Sequence, residues 1–235
     1  MFALVTQKQG ENQYGEGSDS LIHMAIQYVR SLGFTPIPIP NDIDTAREIA
    51  QDIDYRFLLV TGGGFASVEY FCNDCPDAVV QAERDEVERF LVSDAVSKGV
   101  PVMGVCRGMH MLNGIFGGKT MRNGSHSAPR HDHDVVFGGG RRVLVNTFHN
   151  NAVPMDQLAP EAELLAVEAG TRNVEAFRIV CKRVLGLQWH PERPLPGHEA
   201  VQASDEILAW LLHGTALPED LAPYPRSESH RELLR

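Results

Sequence analysis

The sequence predicts one α/β domain with a mostly parallel central sheet and helices on both of its faces. Three observations support this fold class. Short apolar runs rich in β-branched residues recur along the first half of the chain. The segments between these runs are long enough for crossover helices. A chain of 235 residues can also bury a sizeable core in one domain. Buried strands joined by helices form parallel sheets that are covered on both faces.

The first half of the chain supplies the predicted parallel strands and at least one clear helix. Before Gly99, apolar residues recur at three- and four-residue spacing while Glu86, Glu88 and Arg89 fall on the other side, which is typical of an amphipathic helix. The apolar side of this helix consists of Val87, Phe90, Leu91 and Ala95. The predicted strands or strand ends are FALVT (2–6), TPIPIP (35–40), RFLLVTGGG (56–64) and VPVMGVC (100–106).

After Gly118 the pattern changes to one that favours a small antiparallel extension of the sheet. Residues 133–149 contain two β-rich pieces around a triple glycine, which predicts a hairpin. Further strands are predicted in ELLAVEAG, VEAFRIV and RVLGLQWH. A last helix is predicted at 204–214, with an apolar stripe of Ile207, Leu208, Leu211 and Leu212. We expect one domain over residues 1–214 and a tail over 215–235 that lies on the surface or frays.

Charge and cysteine content limit the classes of partner and the compartment. Acidic residues outnumber basic residues 31 to 21, and the formal net charge of −10 would repel nucleic acid and anionic membranes. The N-terminal segment does not resemble a secretory signal, and no apolar run approaches the ~20 residues that span a bilayer. Four cysteines without an export signal indicate reduced thiols. We therefore expect a cytoplasmic protein whose partner is a small molecule or another protein.

Cys106 lies in a pattern that is typical of a nucleophile on a strand-to-helix turn. The segment Gly104-Val105-Cys106-Arg107-Gly108 has the G-x-nucleophile-x-G form, directly after an apolar strand and directly before a helix-like run. The start of a helix offers free N–H groups and the positive end of the helix dipole, which stabilise a thiolate or an oxyanion. The alternative is a buried apolar thiol, a common environment for cysteine. The pentapeptide alone does not decide between these two interpretations.

A second pattern, LGLQWHPER at 185–193, could supply the base that a thiol nucleophile requires. His190 ends an apolar strand, Pro191 prevents the strand from continuing, and Glu192 follows two residues after the histidine. A base of this kind needs a third group to fix its tautomer and to support the imidazolium. A His-Pro-Glu segment alone could equally be a surface turn at the end of a strand.

The strand-to-helix segment GVCRGM, the segment WHPE and the TGGG at 61–64 together resemble the class I glutamine amidotransferase superfamily. The resemblance covers roughly residues 2–213. Within it, CRG, VNTFHN (145–150) and WHPER resemble the free-standing γ-glutamyl hydrolases of peptidase C26 type. The likeness extends to the bacterial γ-glutamyl-γ-aminobutyrate hydrolases and to the γ-glutamyl-CDP-amidate hydrolases. The resemblance implies a flavodoxin-like parallel sheet and a hydrolase that acts through a γ-glutamyl thioester.

The resemblance also implies a role for particular residues. Cys106 would attack the γ-carbonyl carbon, His190 would move the proton, and Glu192 would orient His190. Backbone N–H groups of Arg107 and of Gly63 or Gly64 would form the oxyanion hole. Contacts to the glutamyl group are expected from Thr147, His149 and Asn150. No organic cofactor and no catalytic metal are expected.

The chain departs from the superfamily pattern at two places. His110 stands four residues after the nucleophile, where members usually have a glutamine that helps to bind the glutamyl group. The segment GFASVEY replaces the usual serine- or aspartate-containing sequence after the glycine turn. Both departures concern recognition of the acyl group, and neither involves Cys106, His190 or Glu192.

Two other clusters contain residue types that bind metals. HSAPRHDHD (126–134) has three histidines and two aspartates, but not the helical spacing of a zincin. We expect His126, Arg130 and His131 to line the mouth of the pocket and to contact an anionic leaving group. Cys72 and Cys75 form a C-x-x-C pattern without a second pair, so loop thiols are the favoured interpretation.

The sequence therefore predicts a cysteine hydrolase that releases glutamate from a small γ-glutamyl compound. Two alternatives stay open at this stage. One is a glutaminase subunit that supplies ammonia to a separate synthase, which would require a partner protein. The other is a catalytically silent binding module on the same fold. The sequence leaves open whether the chain forms a homo-oligomer.

Overall fold

The computed structural model describes residues 1–75, 79–122, 132–193 and 199–225. In chain order the strands are β1 (Phe2–Thr6), β2 (Lys8–Glu11), β3 (Gly17–Ser20), β4 (Thr35–Ile39), β5 (Tyr55–Val60), β6 (Val102–Val105), β7 (His133–Phe137), β8 (Arg142–Val145), β9 (Glu163–Glu168), β10 (Val174–Ile179) and β11 (Val184–Leu187). The helices are α1 (His23–Ser31), α2 (Ile43–Asp52), α3 (Ala82–Ser97), α4 (Arg107–Ile115) and α5 (Glu199–His213). Single 3₁₀ turns lie at Val68–Tyr70, Met155–Gln157, Val180–Lys182 and Glu219–Leu221.

Nine of these strands form one sheet in the order β4-β1-β5-β6-β11-β10-β9-β7-β8. The first five strands in this order pair in parallel with their neighbours. The remaining four, β10, β9, β7 and β8, continue the same sheet with antiparallel pairing. This arrangement confirms the predicted mostly parallel sheet with an antiparallel extension. The strands β2 and β3 form a separate antiparallel hairpin, which the sequence pattern did not predict.

Two apolar cores lie on opposite faces of the sheet. Residues of α2, α3 and α4, such as Ala46, Leu91 and Leu112, pack on one face. Residues of α1 and α5, such as Val29 and Ile207, pack on the other. The sheet is therefore covered by helices on both faces, as its apolar parallel strands require.

The central strands β6 and β11 are parallel neighbours, with Gly104 paired to Gly186 and Val105 paired to Leu187. In an open α/β sheet, ligands bind beyond the carboxyl ends of the strands. The carboxyl ends of β6 and β11 lie at the same edge, and Cys106 and His190 follow them closely in the sequence. The topology therefore brings together two segments that are far apart in the chain.

The structure differs from the expectation for one side of α3. Glu86 and Arg89 of α3 are exposed as expected, but Glu88 is fully buried. Its neighbours, described below, are cations, which a helical pattern of apolar residues does not reveal. In the tail, residues 215–225 pack against the antiparallel extension: Leu221 is buried, and the Tyr224 backbone N–H donates to Leu164 O (2.8 Å).

None of the helices in the described parts of the chain combines the length and the apolar character needed to cross a bilayer.

Candidate active site

Cys106 occupies the turn between β6 and α4 with a backbone conformation that non-glycine residues rarely adopt. Its φ is 54° and its ψ is −109°. Its N–H donates to Leu187 O of β11 (2.8 Å), which keeps the turn tied to the sheet. A Cβ atom at Gly104 would lie 2.5 Å from Gly108 O, and one at Gly108 would lie 2.0 Å from Val60 O. Both glycines of the pentapeptide are therefore needed for the close approach of helix and strands.

His190 lies beside Cys106 and is oriented by Glu192. The His190 Nδ1 donates a hydrogen bond to Glu192 Oε1 (2.6 Å), and the imidazole lines the same cavity as the Cys106 side chain. Burial alone would lower the pKa of His190, but the hydrogen bonds and negative charges of Cys106 and Glu192 outweigh it and raise this pKa to about 9. The imidazolium is therefore the dominant form of His190 at neutral pH.

Asn146, which no sequence motif singled out, fixes the backbone around His190. Its Oδ1 accepts from the His190 N–H (2.9 Å), and its Nδ2 donates to His190 O (2.8 Å) and Arg193 O (2.7 Å). The sequence feature that could have identified Asn146 is its position at the start of NTFHN, next to residues that were predicted to bind substrate. A buried amide that makes three such bonds rigidly positions the turn that carries the base.

A segment of residues 61–65, called the glycine loop here, passes against the cysteine–histidine pair. Gly63 and Gly64 have φ values of +84° and +82°, which favour glycine. A Cβ at Gly62 would lie 3.0 Å from His190 Cε1 and 3.4 Å from Cys106 Cβ. The loop can therefore present backbone N–H groups close to the reacting atoms.

Arg107 is the first residue of α4, so its backbone N–H has no carbonyl partner within the helix. Its side chain does not take part in this and is buried in an ion cluster. The guanidinium donates to Asp85 Oδ1, to Glu88 Oε2 (2.5 Å) and to Phe65 O (3.1 Å). The backbone of Arg107 is thus available to a ligand while its charge is neutralised inside the protein.

Two adjoining cavities surround the pair. One of about 350 Å³ includes Cys106, Arg107 and His190 in its lining, and a second of about 200 Å³ includes His190 and Glu192. The cations Lys8, Arg122 and Arg193 also line these cavities. Among the lining residues that the structure describes, Glu192 is the one carboxylate; it is hydrogen-bonded to His190 and lies 3.8 Å from Arg193 Nε. The site therefore suits a ligand with negative charge.

The predicted substrate contacts divide into three groups. His110, His149 and Asn150 line the larger cavity together with Cys106. Thr147 is not part of this lining, and its hydroxyl is hydrogen-bonded to His133 Nδ1. The positions His126, Arg130 and His131 lie outside the described residues.

His110 stands where the superfamily usually has glutamine, and its side chain is fixed by a glutamine from a neighbouring strand. The His110 Nε2 donates to Gln188 Oε1 (2.7 Å). Burial lowers the pKa of His110 to about 4, with Arg107 acting in the same direction and Gln188 opposing it. His110 is therefore neutral at physiological pH and can offer an uncharged ring to the ligand.

Among the described residues, His133, His149 and Glu175 have the spacing to hold a metal ion, with ligand atoms all within 4.8 Å of one another. Sequence reasoning missed this group because its members come from β7, β10 and the segment after β8. His133 Nε2 lies 3.3 Å from Glu175 Oε2, so a protonated imidazole paired with a carboxylate also accounts for the contact. Cys72, Cys75 and Cys181 are free thiols.

Comparison with known proteins relates the chain to hydrolases and amidotransferases. The model of the Peptidase C26 family matches residues 2–192. A glutamine-hydrolyzing GMP synthase subunit of Methanoregula boonei is 32% identical, covering 77% of this chain and 85% of the relative. The gamma-glutamyl-CDP-amidate hydrolase of Campylobacter jejuni is 27% identical over 68% of this chain and 72% of its own. A glutamine amidotransferase from Thermotoga maritima shares the fold, with a TM-score of 0.53 and 15% identity over 88% of this chain and 81% of that chain.

Proposed function

The chain belongs to the peptidase C26 family, within the class I glutamine amidotransferase superfamily, and on this premise we propose that it hydrolyses a small γ-glutamyl compound and releases glutamate. The bond cleaved would be the C–N bond of a γ-glutamyl amide, or the C–N bond of a γ-glutamyl phosphoramide whose nitrogen also carries a phosphoryl group. The observation that carries the proposal is the contact between Cys106 and His190, with His190 Nδ1 held by Glu192 (2.6 Å). A nucleophile beside a base, with a carboxylate that orients the base, is the arrangement that performs acyl transfer in cysteine and serine hydrolases.

In the first half of the reaction, the Cys106 sulfur attacks the γ-carbonyl carbon and forms a tetrahedral oxyanion. His190 has taken the thiol proton and passes it to the leaving nitrogen. The C–N bond then breaks, the amine departs, and the glutamyl group is left as a thioester on Cys106. Glu192 stabilises the imidazolium throughout, because its carboxylate accepts the Nδ1 proton in a hydrogen bond.

In the second half, water attacks the thioester carbon while His190 accepts a proton from that water. The C–S bond breaks, glutamate leaves, and the initial state of the Cys106–His190 pair, with the proton on His190, is restored. In both halves the oxyanion would be bound by the N–H groups of Arg107 and of Gly63 or Gly64, since the glycine loop passes against Cys106 and His190. Each such donor is worth ~3–4 kcal/mol in comparable acyl transfers.

The charges around the cavities support a leaving group that carries negative charge. The γ-glutamyl group itself carries one positive and one negative charge, whereas the described lining contains the cationic side chains of Lys8, Arg122 and Arg193 and one carboxylate, that of Glu192. Arg193 is held over the Phe148 ring (4.6 Å), and that ring contacts His190 edge-on (5.4 Å). A phosphate or carboxylate on the departing amine would be well placed for these cations.

The test is release of glutamate from a panel of γ-glutamyl compounds by the wild type and by Cys106→Ala. The panel contains glutamine, γ-glutamyl-aminobutyrate, a neutral γ-glutamyl anilide and a γ-glutamyl nucleotide amidate. We expect turnover of the anionic members by the wild type and none by Cys106→Ala, whose circular dichroism should be unchanged. Turnover that survives in Cys106→Ala would refute the mechanism. A folded wild type that releases glutamate from no member would favour a silent binding module.

A second candidate is a glutaminase subunit that supplies ammonia to a separate synthase. The similarity to the GMP synthase subunit of Methanoregula boonei supports this possibility. The same Cys106 chemistry would act on glutamine, and the product that matters would be ammonia. Glutaminase activity that is weak in the isolated chain and rises sharply on addition of a synthase partner would favour this candidate over the free-standing hydrolase.

A further inference from the structure

A buried cluster of four charged side chains lies behind the glycine loop. Arg84, Asp85 and Glu88 come from α3 and Arg107 comes from α4, and all four are almost fully buried. Taking charges out of water costs free energy, and apolar residues of similar volume often stabilise a fold equally well. The positions of the charges therefore call for an explanation beyond stability.

Arg84 holds the glycine loop through three consecutive backbone carbonyls. Its Nη2 donates to Thr61 O (2.6 Å) and Gly62 O (3.2 Å), and its Nη1 donates to Gly63 O (2.7 Å). Arg107 continues the pattern, because its Nε donates to Phe65 O (3.1 Å). The planar fork of a guanidinium can meet several oxygens at once, which a single ammonium group cannot do in the same geometry.

Peptide planarity converts these carbonyl contacts into a direction for the next N–H. In a trans peptide the C=O of one residue and the N–H of the following residue point in opposite directions. Anchoring the carbonyls of Gly62 and Gly63 on Arg84 therefore turns the N–H groups of Gly63 and Gly64 away from Arg84. The φ values of +84° and +82° allow both glycines to adopt this arrangement.

We propose that Arg84 is a positioning residue for the oxyanion hole, which fixes the direction of the Gly63 and Gly64 N–H groups before substrate binds. This inference rests on the proposed function, because an oxyanion hole matters only if acyl transfer occurs. Preorganised donors avoid reorganisation during the reaction, and this is the source of their large effect on rate.

Glu88 keeps Arg84 in place from the opposite side. Its Oε1 accepts from Arg84 Nε (2.7 Å) and from Thr6 Oγ1 (2.9 Å), while its Oε2 accepts from Arg107. Thr6 in turn accepts from the Thr61 N–H (3.0 Å), at the first residue of the loop. The same carboxylate thus connects the residue that follows the nucleophile, Arg107, with the residue that holds the loop.

The decisive variant is Arg84→Lys, which keeps a positive charge for Glu88 but loses the fork. We expect kcat for a γ-glutamyl substrate to fall about 100-fold, because one oxyanion donor is worth 10²–10³ in rate, while KM changes less than about 3-fold. The control is Arg178→Lys, since Arg178 is a largely buried arginine that is paired with Glu163 (2.8 Å) and lines neither cavity of the site. The control should keep the kcat of the wild type.

Two further measurements distinguish a specific effect on the glycine loop from a general disturbance of the folded protein. Alkylation of Cys106 by iodoacetamide needs no oxyanion hole, so its rate should be unchanged in Arg84→Lys. Beyond the immediate surroundings of residue 84, amide NMR should show its shift and exchange changes in residues 61–65. A kcat within about 3-fold of the wild type would overturn the proposal, and so would parallel losses of kcat and alkylation rate.

A second variant covers the case in which Arg84→Lys fails to fold. Arg84→Gln/Glu88→Gln removes two opposite charges together and should show the same loss of kcat with normal alkylation. If the wild type cleaves no γ-glutamyl compound, the proposed function fails, and the NMR measurement still decides the positioning. Unchanged Gly63 and Gly64 amide signals in a folded Arg84 variant would then overturn it.

Discussion

At the scale of single residues, the protonation of His190 is set by two neighbours that oppose the effect of burial. The ring lies among buried residues, which disfavours its charged form, yet Cys106 and Glu192 raise its pKa to about 9. The proton that the leaving nitrogen requires is therefore already present on the imidazole at neutral pH. His110 and His149, whose pKa values burial lowers to about 4 and about 3, stay neutral in the same cavity.

Replacing Glu192 by Gln should lower the pKa of His190, because the negative charge beside Nδ1 is lost. Since the pKa of His190 is raised to about 9, we expect an alkaline limb of kcat/KM near that pH in the wild type and at lower pH in the variant. Proton NMR titration of the His190 ring would measure the same shift directly. An alkaline limb that stays in place would show that Glu192 does not support the imidazolium.

The raised pKa of His190 also makes the free energy of unfolding depend on pH. Because folding raises the pKa of His190 above its ordinary value of 6.5, its contribution to the free energy of unfolding is full below pH 6.5. That contribution disappears as the pH rises through about 9. Chemical denaturation of the wild type and of Glu192→Gln between these pH values should therefore show a smaller pH dependence in the variant.

At the scale of secondary-structure elements, the turn between β6 and α4 depends on how closely the helix approaches β5. A Cβ at Gly108 would lie 2.0 Å from Val60 O, a backbone atom that cannot move independently of the sheet. We expect Gly108→Ala to lower the free energy of unfolding by about 3 kcal/mol, at the upper end of the usual range for overpacked positions.

Urea denaturation with Gly170→Ala as the control would measure this effect. No atom lies within 4 Å of a Cβ built at Gly170, so that variant should unfold within about 0.5 kcal/mol of the wild type. Equal stability of the two variants would mean that α4 can shift away from β5 without cost.

The elements differ in how far the sequence predicts them. The parallel strands were predictable because their apolar runs are continuous, and α5 because its apolar stripe is regular. The β2–β3 hairpin was not, since its residues are largely polar and exposed and do not alternate.

The cysteine and histidine segments carry local motifs, whereas Arg84 and Glu88 look like ordinary helix charges. Their four-residue spacing suggests an ion pair, but only the tertiary structure shows that it is buried.

At the scale of the whole molecule, the charge of the site opposes the charge of the chain. The formal net charge is −10, while Lys8, Arg122 and Arg193 line the two cavities. A negatively charged substrate is repelled by most of the surface and attracted at the site. Such local fields depend on ionic strength, because the Debye length is about 10 Å at 0.1 M salt.

Arg193→Ala should raise KM for an anionic γ-glutamyl compound by about tenfold, and KM for a neutral γ-glutamyl anilide much less. This follows from the loss of one charge-assisted contact, worth about 1.5 kcal/mol. Arg142→Ala is the control, because Arg142 is an exposed arginine paired with Asp134 outside both cavities. Equal increases for both compounds would place Arg193 on the glutamyl group rather than on the leaving group.

The pairing of β6 with β11 has a consequence for the protein during its own synthesis. Cys106 and His190 are neighbours in space but about eighty residues apart in the chain, and β11 follows the other described strands of the sheet in chain order. Until β11 docks, the thiol has no base and no carboxylate behind that base. If His190 assists Cys106 as proposed, we expect this assistance to begin only when β11 has paired with β6, late in the folding of the chain.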